Sequence, residues 1–587
     1  MRKSNLPLIT ALCLAAMLSP QSSIARSIQM DDYAMPTDGN DCTPALRQCL
    51  ESLTPDSDEP TIINFTPGTY HFYPDAGFDE YCFISNNDEG LKRAVFLLKD
   101  LRNIEVDGHG SKFIFHGFVN PFVITGAENI RFRNFSVDCA RPFHSEGIIT
   151  ALHDDGLEIN IPEEFPYTVK NHILIFTGDA QADKNEPLTT VTRDKIYGYD
   201  HILEFDTGRR ETAYMAHDYF LANSPLVAED LGGRNVRIYL KDLTGSVGNT
   251  LVFGPDHRKY PAFTATDSRD VAFSNVTIHH AGGMGIIGQR VRNVTVDHCR
   301  VVPSGNRILS TTADATHFTN CTGKIVLSNN VFMNQMDDAT NIHGIYVRIR
   351  DMEPEGKAIV ELCHPQQYGF DFIKEGMDLE LVKGKSLISA GTAKVSGVKR
   401  LNKNFTEVTF TSPLPSGIKP GDALCEVREY PYIHIHDNYI GKNRARGMLL
   451  NCRGTTVVER NTFHSPGAAI LFEGDACFWF EQGGVNDCTI RDNTFDECLF
   501  GVWGKAVIDV AAGIHEDADI SRYNRNIRIY NNRFRTFDSA LLLNAYGVEN
   551  LDWRDNSIEQ TGGYAPARSN SKRFKVENCD NITIDQR

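Results

Sequence analysis

A short phrase recurs along the chain and limits what it can fold into more than any other feature. It is an alternating strand, then Asn, then an apolar residue. It appears as IRFRNFSV ending at Val137, VAFSNVTI at Ile278, IVLSNNVF at Phe332, IHIHDNYI at Ile440 and TVVERNTF at Phe463. TIRDNTF, IRIYNNRF and LDWRDNSI continue it to Phe495, Phe534 and Ile558, and VTVDHCRV fits with Cys299 in the Asn slot. The slot residues are Asn134, Asn275, Cys299, Asn330, Asn438, Asn461, Asn493, Asn532 and Asn556, with most gaps between 23 and 39 residues. That period is one coil of a β-solenoid. An Asn at a fixed corner tolerates left-handed backbone, and stacked Asn amides can bond from rung to rung. The expectation is an all-β chain, a right-handed parallel β-helix.

Two intervals are too long for any coil. Residues 144–262 and 345–430 are rich in alternating strands such as GLEINI, NVRIYL, AIVELC and EVTFTS, and read as two inserted, barrel-like β modules. The order is then a leader (1–25), a cap and first coils (26–143), module one (144–262), further coils (263–344), module two (345–430) and C-terminal coils (431–587). The segment Thr43 to Leu53 reads as an amphipathic helix capping the first coil.

The leader has Arg2 and Lys3, an apolar stretch from Leu6 to Leu18, and a small-x-small site at Ser23–Ala25. It predicts export to the periplasm or beyond, and no later stretch is apolar enough to insert in a membrane. Of the 14 cysteines Cys13 lies in the leader, and the rest show neither a zinc pattern nor a disulfide framework. A net charge of −17 disfavours nucleic acid and polyanionic partners.

The coil register also locates candidate chemistry. Asp314-Ala315-Thr316 and Asp338-Ala339-Thr340 are the same three letters 24 residues apart, one coil, with Asp337 adjoining. Strands in a sheet lie ~4.8 Å apart, so these acids should stack on neighbouring rungs. Stacked carboxylates repel and raise at least one pKa, which is what glycoside hydrolysis requires of its acid–base pair. An inverting pair needs ~6.5 to 9.5 Å between carboxyls. Solvated turn acids and a structural Ca²⁺ site are the two other readings of the same cluster. Downstream, Arg446, Asn451, Glu473, Asp475 and Trp479 have the composition of a sugar subsite. Trp503, between glycines, reads as core, and His279, His280, His434 and His436 read as structural.

TTADATHFTNCTG and NNVFMNQMDDATNIHG, with the NFTPGTYHF segment and the paired insertions, resemble glycoside hydrolase family 110 over essentially the whole chain beyond the leader. The resemblance implies an exo-acting, inverting α-1,3-galactosidase without cofactor or metal, taking terminal α-galactose from blood-group-B-type glycans, with linear α-1,3-galactosides left open as a second substrate. It also implies that Asp314, Asp337 and Asp338 are catalytic, with Asp337 the general acid and the other two handling the water. A β-helix polysaccharide lyase or polygalacturonase, and a non-catalytic glycan-binding β-helix, are the competing expectations.

Overall fold

The computed structural model describes residues 25–585 apart from 37, 56, 179–195, 223 and 354–355. The leader reading therefore falls almost wholly outside the described residues. The body is a right-handed parallel β-helix whose coils present three strand faces around one apolar core. Helix Thr43–Glu51 buries Leu46, Cys49 and Leu50 against its first coils.

Each recurrent phrase supplies a first-face strand, a sharp corner and a second-face strand. Val458 pairs with Ile490, and after the corner Phe463 pairs with Phe495. Inward residues repeat from rung to rung, so like stacks on like. Phe463, Phe495 and Phe534 form one aromatic column with centroid spacings of 5.1 and 4.6 Å, and Trp553, from the first face of the next rung, packs on its end at 4.9 Å.

The corner corrects one expectation. From Asn330 onward the left-handed residue precedes the slot: Asn329, Asp437, Arg460, Asp492, Asn531 and Asp555 all have positive φ. The slot Asn points inward and is buried. Its Oδ1 accepts the backbone N–H of the slot one rung back, at 2.9–3.0 Å from Asn330 to Asn556. Cys299 N–H joins the same ladder through Asn330 at 2.8 Å. Asn134 and Asn275 are left-handed themselves and belong one residue earlier in register. Ser274 pairs with Asp297 and Thr277 with Arg300, so Asn275 sits beside His298 and Val276 beside Cys299. The corner needs one residue with positive φ facing solvent and one side chain facing in. Asn can fill either place.

Module one is an antiparallel sheet built on Ser145–His153, Gly156–Asn160, Asn235–Tyr239, Tyr199–Asp206 and Thr250–Pro255. It has a core of its own around Leu157, Ile159, Phe176 and Val236. Module two is a closed six-stranded barrel. It grows out of the solenoid without a linker, because one strand, Thr340–Glu353, serves both. Its first half pairs in parallel, Thr340 with Thr316; its second half pairs antiparallel, Ile349 with Val360. A hairpin of Phe78–Ile84 and Asp88–Lys99, not anticipated from the sequence, carries its tip back to the coils, where Ser85 N–H donates to Gln289 Oε1 at 2.8 Å.

All thirteen described cysteines are free, Cys42 and Cys49 among them. Among the described residues no helix is long and apolar enough to cross a membrane.

Candidate active site

The third-face strands Ile286–Gln289, Thr316–Thr319, Thr340–Glu353, Met448–Leu450 and Ile470–Phe472 stack in register. Asp314 and Asp338 lie two residues before the second and third of these. Ala315 N–H donates to the Asp338 carbonyl at 3.0 Å, so the two acids are one rung apart. Asp337 adjoins them, and all three are buried. They share the floor of a cavity of about 540 Å³. The solenoid supplies the floor, module one a wall at His201 and Asp256–Lys259, and module two Gln366. The hairpin tip adds Asn86 and Asn87. That volume suits one or two sugar rings.

Each acid has its own cation or imidazole. Asp337 accepts from Arg258 Nη2 at 2.8 Å and Arg444 Nη1 at 3.0 Å. Asp338 takes Arg446 through its backbone N–H at 2.9 Å and its Nη2 at 2.8 Å. Asp314 Oδ2 lies 2.7 Å from His317 Nδ1. Burial pushes the Asp338 carboxyl well above the usual carboxylate range, and Asp337 and Asp314 push it further, against the pull of Arg446. Asp337 is buried too, but Arg258, Arg444 and Arg446 overcome that and hold it down at about 2. In the substrate-free protein the three arginines favour the ionised form of Asp337, while burial and the neighbouring acids favour the protonated form of Asp338, the reverse of the bias expected with a general acid at Asp337.

Hydrogen-bond partners locate a further proton. His343 Nδ1 faces the Gly344 carbonyl at 2.7 Å and must carry a hydrogen. Burial, with His317 beside it, lowers His343 to about 3, so it is neutral and its Nε2 is a bare acceptor. His317 Nε2, 2.9 Å away, is then the donor.

The three acids each place an oxygen within 4.8 Å of the others, near enough to share a cation. Arg258 and Arg444 supply positive charge to Asp337 and Arg446 to Asp338, while Asp314 faces His317. The same figure brings the acids closer at their nearest oxygens than the gap expected of an inverting pair.

Of the residues expected to meet sugar, Arg446, Glu473 and Trp479 line the cavity. Burial raises Glu473 to about 7, with Glu481 and Asp475 adding to it and Arg446 opposing. Asn451 and Asp475 are not among the cavity's lining residues, and Asp475 lines an adjoining cleft instead. Asn451 is buried and accepts the Glu473 N–H at 2.8 Å, a strand-to-strand tie. Asp475 accepts the backbone N–H groups of Cys477 at 2.7 Å and Trp479 at 3.0 Å, folding the loop that presents Trp479. Trp503 is half-buried instead of core, and its indole N–H donates to Asp218 Oδ2 at 3.1 Å. His280 is structural, accepting the Phe143 N–H at 2.8 Å.

The sequence reading missed Asp218, Arg258, Arg444, His317, His343 and the hairpin asparagines. Arg444 and His317 had a signal, standing two residues before Arg446 and three after Asp314. Asp218 and Arg258 had none, because module one brings them in from a stretch with no repeat register.

Comparison with known proteins follows the same divisions. Residues 145–251 match the GLAA-B beta-barrel domain I model, 357–424 the GLAA-B beta-barrel domain II model, and 427–581 a right-handed beta helix region. The chain is 32% identical over 564 residues to alpha-1,3-galactosidase A of Shewanella woodyi, covering 95% of this chain and 90% of that one. It is 30% identical to alpha-1,3-galactosidase B of Akkermansia muciniphila, over 92% of this chain and 67% of the relative. Alpha-1,3-galactosidase B of Bacteroides thetaiotaomicron is 28% identical, over 97% and 92%.

Proposed function

Because the chain belongs to the α-1,3-galactosidase family, glycoside hydrolase family 110, we propose that it hydrolyses terminal α-1,3-linked galactose from glycans. The observation that carries this reading is the acid trio on adjacent rungs, buried on the floor of a sugar-sized cavity. Asp337 and Asp338, adjacent on one rung, are biased toward opposite protonation states with Asp314 one rung away, as glycosidic cleavage needs. The substrate is neutral, and its galactose ring packs between the acid floor and Trp479, with Arg446 and Glu473 reading its hydroxyls.

Asp314, Asp337 and Asp338 are the catalytic acids in this reading, and the adjacent Asp337 and Asp338 share a proton between them. In the free protein the surroundings favour that proton on Asp338. Asp337 serves as the acid when the glycosidic oxygen arrives and the proton passes to it from its neighbour. Inversion is proposed on the family resemblance, no metal or other cofactor takes part, and the leader directs the protein out of the cytoplasm. Blood-group-B-type branched glycans and linear α-1,3-galactosides are both proposed substrates.

Asp337→Asn tests the assignment. It should lower hydrolysis of an α-1,3-galactoside at least about 10²-fold with an unchanged melting temperature; near-normal turnover would remove Asp337 from the mechanism. Proton NMR during the first minutes should show β-galactose ahead of α-galactose. The opposite order would make the enzyme retaining, as the close approach of the acids would then explain.

A further inference from the structure

A second cleft of about 420 Å³ opens on the C-terminal side of the catalytic cavity, and Glu473 and Trp479 line both. It crosses the third-face strands Ala506–Ala511, Leu541–Tyr546 and Phe574–Glu577, which follow Ile470–Phe472 rung by rung. Four rungs at the usual spacing give a floor ~14 Å long.

Its surroundings are unusual for a bare surface. Phe478 is 67% exposed and Trp479 beside it 40% exposed, ring centroids 5.0 Å apart and nearly perpendicular. Adjacent exposed rings mark a binding surface more often than an accident of packing. The loop that holds them is not slack, since Asp475 ties down its backbone and His364 lies 4.9 Å from the Trp479 ring. Opposite the rings stand Lys505, Lys575 and Glu577, with Lys575 Nζ 2.9 Å from Glu577. Rings offer flat apolar area for the faces of a pyranose; charged groups of both signs offer donors and acceptors for hydroxyls. A polyanion would meet Glu473, Asp475 and Glu577, and a lipid surface would meet too little apolar area. A neutral oligosaccharide satisfies both halves of the cleft.

We propose that this cleft is an extended glycan subsite, holding the sugars of the chain from which the terminal galactose is removed. The proposal rests on the galactosidase reading of the adjoining cavity. Trp479 is the hinge wall: the terminal sugar lies on its catalytic side and the remainder of the chain runs on toward Tyr546 and Lys575.

The test uses the full chain and two variants, Phe478→Ala and Lys575→Ala, whose side chains are exposed and do not line the catalytic cavity. Substrates are an aryl α-galactoside, an α-1,3-linked galactose disaccharide and a neutral pentasaccharide ending in the same linkage. Wild type should favour the pentasaccharide over the disaccharide by about tenfold in kcat/KM, the equivalent of one good ring contact. Both variants should erase that preference and leave aryl galactoside turnover unchanged. A binding arm runs in parallel: calorimetric titration with the oligosaccharide that lacks the terminal galactose should show binding that each variant weakens. Length-independent kcat/KM with unweakened binding in both variants would overturn the subsite. If wild type cleaves no α-galactoside, the galactosidase reading fails, while the titration still decides whether the cleft binds glycan.

Discussion

Asp337 does not set its own position. Arg444 donates to it, and Arg444 is in turn gripped by Asp218 through three contacts of 2.9, 3.2 and 2.7 Å. Trp503 donates to the same Asp218 Oδ2 that Arg444 Nη2 binds. The chain of contacts runs from a C-terminal coil through module one to the acid, so a residue that never touches sugar decides where the acid points. Replacing Asp218 with Asn removes the charge and half of the bidentate grip while keeping the size. Misplacing a reacting group by about 1 Å costs on the order of 10²-fold, so kcat should fall by about that factor with KM little changed. Steady-state kinetics on an aryl α-galactoside reads this directly, and an unchanged kcat would show that Arg444 holds its place without Asp218. This dependence was invisible in the sequence: Asp314 and Asp338 announced themselves by repeating in register, whereas Asp218 and Arg258 repeat with nothing.

The ladder of buried asparagines is what makes separate coils one element. Asn461 Oδ1 accepts both the backbone N–H and the side-chain N–H of Asn438, at 3.0 and 2.9 Å, and its own Nδ2 donates to Ile435 and Asn493. Asn461→Ala would strand two buried N–H groups of Asn438 and remove the side-chain donor to the Ile435 carbonyl, while Asn493 keeps the backbone N–H of residue 461. Each unsatisfied buried group costs about 1–3 kcal/mol, so a loss of about 3 kcal/mol is expected. Urea unfolding should show a lower midpoint, and a change under about 1 kcal/mol would mean that water replaces the lost bonds. The ladder was legible in the sequence because a solenoid repeats its chemistry with its period. Its direction was not, since Asn serves equally as the left-handed corner residue and as the inward amide. The frame slip at Asn134 and Asn275 came from that ambiguity. A parallel row on the next corner was also missed. There Asn550 donates to Asn526 and Asn581 to Asn550, both at 3.0 Å, in short strands whose flanking residues vary.

At the scale of the whole molecule the cavity exists because module one is docked on the solenoid, and that docking contains a titrating group. Glu146, on the first strand of the module, is buried and accepts the backbone N–H groups of Ile308 at 2.9 Å and Leu309 at 3.3 Å. His144 lies 2.9 Å from the same oxygen, and Arg307 and Arg210 face the site. Burial raises Glu146 to about 7 despite those N–H groups and arginines, while burial and the arginines keep His144 neutral. The unfolded chain ionises this carboxyl near 4.3, so between that pH and 7 the folded state binds the extra proton. The contribution of Glu146 is therefore fully present below about pH 4.3 and is lost as pH rises through 7, a change of up to about 4 kcal/mol. Glu146→Gln retains an acceptor for the two N–H groups and has no proton to lose. Calorimetric melts at pH 5 and pH 8 should show wild type losing more stability than the variant between those two values, with the variant the more stable at pH 8. Parallel curves would mean that Glu146 is already ionised in the fold. Because Arg258 and Asp218 reach the acids from the same module, activity at pH 8 should decay with temperature earlier in wild type than in the variant, following the docking and not the β-helix beneath it.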